Sequence, residues 1–178
     1  CGVDLVLELP TLYATSSAEN FADGAIKLLN SLKVVDYVAF GAETSNVDIL
    51  NELTDVLYHE PKEYKNILTT ELKKGISFPK ARENALLMYL NNSKKYSNIL
   101  SSPNNILGIE YIKALKKYKS KIEPVAIPRF EAGYNDSDFS GNIASATAIR
   151  NIVKNGGFDI LRRLLPESSY SILMDNIK

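Results

Sequence analysis

The run Ser145-Ala146-Thr147-Ala148-Ile149-Arg150 carries the strongest chemical signal in the sequence. It reads as a helix start, where free backbone N–H groups and the positive end of the helix dipole draw anions. Ser145 at the N-cap and Thr147 at the second helical position add hydroxyl donors. Arg150 falls one turn after Thr147 on the same face, and its guanidinium can fork onto phosphate oxygens. Together these groups suit the phosphates of a nucleotide, although a plain N-cap with a surface Arg fits the same spacing. Residues 129–143, rich in turn formers, precede the helix. Long loops in compact domains are usually functional or mobile, and beside a phosphate site such a segment would serve as a lid.

Other candidates are weaker singly. Phe40-Gly41-Ala42-Glu43 ends a predicted strand, and Gly41 would let a ligand approach the backbone closely at the carboxyl end of a parallel sheet; the alternative is a Gly needed only for its turn. Asn104 shares a helical stripe with Leu107, Tyr111 and Leu115, so it is expected to face inward and to need a partner, either a ligand or a neighbouring loop. Lys113, Lys116, Lys117, Lys119 and Lys121 form a basic run that could meet a nucleic-acid backbone or simply be a solvated face near a helix C-terminus. His59 reads as exposed; Glu8, near the end of the first strand, could point into a cleft, but reads rather as a buried or edge residue paired with Lys or Arg. The sequence contains no Ser/His/Asp arrangement, no GxGxxG, no GxxxxGK[ST] and no metal-ligand pattern. One Cys and one His leave neither an internal disulfide nor a His cage.

The elements that must hold these residues follow from periodicity. Asp4 to Pro10 reads as a buried strand. Ser16 to Glu19 reads as a capping box opening a helix through Leu32, and Val35 to Phe40 as a second strand. Strand, helix and strand make a βαβ unit and hence a parallel sheet. Helices are predicted over Val47–Tyr58, Pro61–Lys74 with Gly75 as the stop, and Phe78–Leu90. A further helix runs from Ser102-Pro103 to about Tyr118, with a core stripe of Leu107, Tyr111, Leu115 and Tyr118 opposed by Glu110, Lys113 and Lys117. Ile122–Ile127 reads as a third strand. Helices at Ser145–Lys154, ended by Gly156-Gly157, at Asp159–Leu165 and at Glu167–Asn176 complete the chain. The fold class is therefore α/β.

The composition is that of an ordinary globular chain: 178 residues, 45% hydrophobic, 24% charged, and 21 basic against 21 acidic residues. The zero balance excludes a globally basic nucleic-acid binder, and no apolar run has the length of a membrane span. A sequence opening Cys1-Gly2 directly into a strand reads as a piece of a longer protein, with a trimmed or processed terminus as the alternative.

Gly2-Val3-Asp4-Leu5-Val6-Leu7-Glu8-Leu9-Pro10, Phe40-Gly41-Ala42-Glu43, Pro103-Asn104-Asn105-Ile106-Leu107-Gly108 and Ile143-Ala144-Ser145-Ala146-Thr147-Ala148-Ile149-Arg150 occur in that order. The set resembles the bacterial tRNA(Met) cytidine acetate ligases of the nucleotidyltransferase superfamily, over nearly the whole chain. The resemblance implies a Rossmann-like parallel sheet flanked by helices, with a helical insertion and C-terminal helices. It implies a cytoplasmic enzyme that activates acetate with ATP to form acetyl-adenylate, releasing pyrophosphate; phosphate chemistry adds the expectation that Mg²⁺ arrives with the ATP. The acetyl group would then pass to N4 of the wobble cytidine of elongator tRNA(Met).

By motif position, the resemblance assigns Gly41, Asn104 and Arg129 to ATP contacts and Ser145, Thr147 and Arg150 to the phosphates. Lys113, Lys116 and Lys117 are the candidate RNA contacts. It also places a His-x-Gly-His-type motif ahead of the matched residues, which this sequence lacks. The expectation is thus a nucleotide-binding catalytic domain over 1–155 without its first strand and His motif, a helical insertion at about 47–100, and the start of a helical region at 156–178. Residues 1–178 alone are expected to be inactive. Two alternatives stay open: another enzyme of the superfamily, such as a nucleotidylyl transferase or a carboxylate–amine ligase, and a non-catalytic RNA-binding module.

Overall fold

A computed structural model describes residues 3–91, 93–96, 99–129 and 144–177. The chain divides into two compact units, one of Glu8–Arg129 and one of Cys1–Leu7 with Phe130–Lys178. In the first, α1 (Thr11–Ala14) and α2 (Ala18–Leu32) precede β1 (Tyr37–Ala42). Then come α3 (Val47–His59), α4 (Lys62–Leu72), α5 (Phe78–Tyr89), α6 (Ser93–Tyr96), α7 (Pro103–Lys117) and β2 (Glu123–Pro128). The second unit holds α8 (Ala146–Lys154), α9 (Phe158–Leu164) and α10 (Glu167–Asn176).

The expected opening strand does not form. Leu5 and Val6 are 71% and 83% exposed, and no strand pairs with this segment among the described residues. Extended backbone without a ladder partner has its N–H and C=O groups unpaired by any sheet. The parallel sheet is instead made by β1 and β2, in register from Tyr37 opposite Glu123 to Ala42 opposite Pro128. Helices α3 to α7 form the crossover that parallel pairing requires. β1 starts at Tyr37, two residues later than the apolar run suggests. The cap of α2 also shifts by one: Ser17, not Ser16, is the N-cap and accepts from Asn20 N, while Ser16 Oγ accepts from the Asn20 side chain.

β1 alternates, with Val38, Phe40 and Ala42 buried and Tyr37, Ala39 and Gly41 exposed. Its buried face meets α7, which also packs on α2 and α3. That enclosure corrects the single core stripe expected for α7. The buried set is Asn105, Gly108, Ile109, Glu110, Ile112, Ala114 and Leu115, whereas Leu107, Tyr111 and Tyr118 are only half-buried. Glu110, assigned by spacing to the solvent side, is 2% exposed. One core cluster centres on Phe40, Leu50, Leu53, Leu86, Ile109 and Ile112, and a second on Ile26, Val38, Leu115 and Ile122.

Gly108 sits inside α7 because the Phe40 ring lies against it: a Cβ there would stand 2.5 Å from Phe40 Cε2. Gly108→Ala is expected to lower stability by about 1–3 kcal/mol, the usual cost of overpacking a tight core. This would reverse the gain that Ala brings to an open helix. Chemical denaturation measures the sign.

In the second unit, Ile152 of α8 and Leu161 of α9 are buried. The Gly156-Gly157 stop forms as expected. Gly156 takes φ +72°, and Gly157 N donates to the Ile152 carbonyl at 3.0 Å. No helix among the described residues is long and apolar enough to cross a membrane.

Candidate functional site

Three of the predicted residues meet where β1 and β2 end and α7 begins. Parallel pairing carries the strands to a common edge, and Arg129 N extends the ladder by donating to the Ala42 carbonyl at 3.0 Å. Gly41 faces the stem of Arg129, since a Cβ at position 41 would lie 3.3 Å from Arg129 Cγ. Arg129 Nη1 in turn donates to Asn104 Oδ1 at 3.4 Å. Gly41 and Arg129 are exposed and Asn104 is half-buried, so the cluster is open to a ligand. The carboxyl edge of parallel strands is where open α/β sheets bind ligands.

Asn104 does not face the core as its stripe suggests; Asn105 does, at 2% exposure, with Oδ1 accepting from Thr44 N at 3.0 Å. Sequence reasoning overlooked the residue that joins the two. Glu43 accepts from Asn104 Nδ2 at 2.7 Å and from Asn105 N at 2.9 Å. It closes the start of α7, where the Ser102 side chain makes no capping bond to the helix. Desolvation works against the charged Glu43 carboxylate, but the Asn104 side chain and nearby backbone N–H groups outweigh it and hold its pKa below 4.5. Because the folded value is depressed, this interaction is fully present at neutral pH and is lost as pH falls below the ordinary carboxylate range. The signal available in the sequence was the acid directly after Gly41-Ala42.

In the second unit, Ser145 is the N-cap of α8 and its Oγ accepts from Ala148 N at 3.1 Å. Arg150 Nη2 donates to Thr147 Oγ1 at 3.3 Å, one turn apart as expected. All three side chains are exposed. Residues 130–143, which include most of the expected lid, lie outside the described residues.

The lysines of α7 are ion-paired. Lys113 Nζ donates to Glu19 Oε1 at 2.7 Å, Lys116 to Asp55 Oδ1 at 2.5 Å, and Lys117 to Asp23 Oδ1 at 2.6 Å. Lys113 and Lys117 border a cleft of about 320 Å³ beside Glu19, Asp23 and Tyr58, away from Gly41, Asn104 and Arg129. Among the described residues no group of three or more His, Cys, Asp or Glu could hold a metal ion.

Known proteins share this arrangement of elements. The chain is 47% identical to a tRNA(Met) cytidine acetate ligase of Clostridium novyi, over 98% of the chain and 44% of the relative. It is 48% identical to one of Caldanaerobacter subterraneus, over 97% of the chain and 43% of the relative. A crystal structure of Thermotoga maritima TmcAL bound with alpha-thio ATP matches with a TM-score of 0.87 and 40% identity, over 99% of the chain and 41% of that protein. The chain thus spans less than half the length of the relatives it matches. A family model described as HIGH Nucleotidyl Transferase matches residues 1–178, and the chain belongs to that family.

Proposed function

We propose that the chain is the nucleotide-binding part of an ATP-dependent ligase that acetylates N4 of the wobble cytidine of elongator tRNA(Met). The observation that carries this reading is the cluster of Gly41, Arg129 and Asn104 at the carboxyl edge of the parallel strands. Similarity to a protein bound with alpha-thio ATP supports it. A cytoplasmic location goes with a tRNA substrate.

An acetate oxygen attacks the α-phosphorus of ATP, and pyrophosphate leaves. The cytidine N4 amine then attacks the acetyl carbonyl, AMP leaves, and the amine loses a proton. Neither step forms a bond to the protein, so no nucleophilic side chain is needed. Charge builds on the phosphate oxygens, where fixed N–H, hydroxyl and guanidinium donors act best. On this reading the candidate donors are Arg129 at the strand edge and Ser145, Thr147 and Arg150 at the start of α8. Mg²⁺ accompanies ATP through its phosphates.

Pyrophosphate exchange into ATP tests this in the full-length protein, measured with acetate and with other small carboxylates. Exchange that depends on acetate is expected. Exchange driven equally by another carboxylate would point to a different enzyme of the superfamily. For Lys113, Lys116 and Lys117 to contact RNA, phosphates must displace their carboxylate partners. Salt-sensitive RNA binding that Arg150→Ala and ATP both leave unchanged would favour a binding module.

A further inference from the structure

We propose that Glu43 is a positioning residue that fixes which end of the Asn104 amide meets the nucleotide, an inference that rests on the ATP reading above. An ionised carboxylate only accepts hydrogen bonds. Glu43 therefore holds the Asn104 Nδ2 end, at 2.7 Å, and turns Oδ1 toward Arg129. Its second oxygen is engaged by Asn105 N at 2.9 Å, so the carboxylate has a fixed seat on the first turn of α7. Asn105 is itself buried and tied to Thr44 N, the residue after Glu43. The loop after β1 and the start of α7 are thus locked to each other from both sides. The result is an oriented acceptor, Asn104 Oδ1, beside the Arg129 donors.

Glu43→Gln separates this role from capping. The introduced amide has one acceptor, which can still take Asn105 N, and one donor end, which would then face Asn104. Asn104 would be driven to turn over, setting its NH₂ against the Arg129 guanidinium. Asn104→Asp in the same chain restores an acceptor on both sides and should rescue the arrangement.

The test titrates Mg-ATP into the chain and its variants and compares their melting temperatures. Glu43→Gln should weaken ATP binding about fivefold to tenfold, the scale of one hydrogen bond, with little change in melting temperature. Adding Asn104→Asp should recover most of the loss. Unchanged binding by Glu43→Gln, no rescue by the double variant, or a fall in binding matched by a fall in melting temperature would each overturn the proposal. A parent chain that binds no ATP removes the reading on which it rests, and the positioning role falls with it. A parent that binds ATP alongside an equally tight Glu43→Gln sinks the positioning role alone.

Discussion

Glu110→Ala is expected to cost about 3–5 kcal/mol of stability, the range for removing one partner of a buried ion pair. Glu110 is 2% exposed; its Oε1 accepts from Arg82 Nη2 at 2.9 Å. Its Oε2 lies 2.6 Å from Lys113 Nζ as an ion pair, outside hydrogen-bonding geometry. The side chains of Arg82 and Lys113 are themselves only 22% and 21% exposed. Removing the carboxylate takes the partner from Arg82 in a partly desolvated position and leaves Lys113 with Glu19 alone. Lys116→Ala is the control, because its partner Asp55 is 52% exposed and surface pairs contribute about 0–1 kcal/mol. Denaturant titration of both variants decides the point. A Glu110→Ala cost no larger than that of the control would show that the buried pair only balances its own desolvation.

The second large effect is expected at Arg129. Arg129→Ala should weaken ATP binding roughly 10- to 100-fold, since a hydrogen bond to a charged group contributes about 1.5–3 kcal/mol. Arg129 is exposed, so its loss should leave the melting temperature nearly unchanged. Arg150→Ala should act similarly, through the phosphates. Calorimetric titration with ATP measures both. Wild-type affinity in the Arg129 variant would remove the strand-edge cluster from the nucleotide site.

Most helices were legible because their signals are local. Apolar spacing and stop residues mark α3 to α5 and α8 to α10, and the stops at Gly75 and Gly156 take φ +74° and +72°. Ser145 caps α8 as its sequence context suggests. What was hidden depends on neighbours distant in sequence. The α7 cap comes from Glu43, 62 residues before Asn105, and no window around Ser102 contains it. Glu110 reads as a solvent residue until α2, α3 and β1 are seen to enclose its helix. The opening strand failed for a related reason: an apolar run signals a preference, and only a partner strand makes a ladder of it.

The position of α7 in the chain has a consequence for synthesis. Its contacts reach back to Glu19 and Asp23 in α2, 94 residues earlier, and to Asp55 in α3, 61 residues earlier. At about 5–20 residues per second on the ribosome, α2 and β1 wait on the order of ten seconds for the helix that covers them. During that interval Ile26, Val38 and Phe40 have no α7 to bury them, and the nascent chain is a natural client for a chaperone that shields apolar segments.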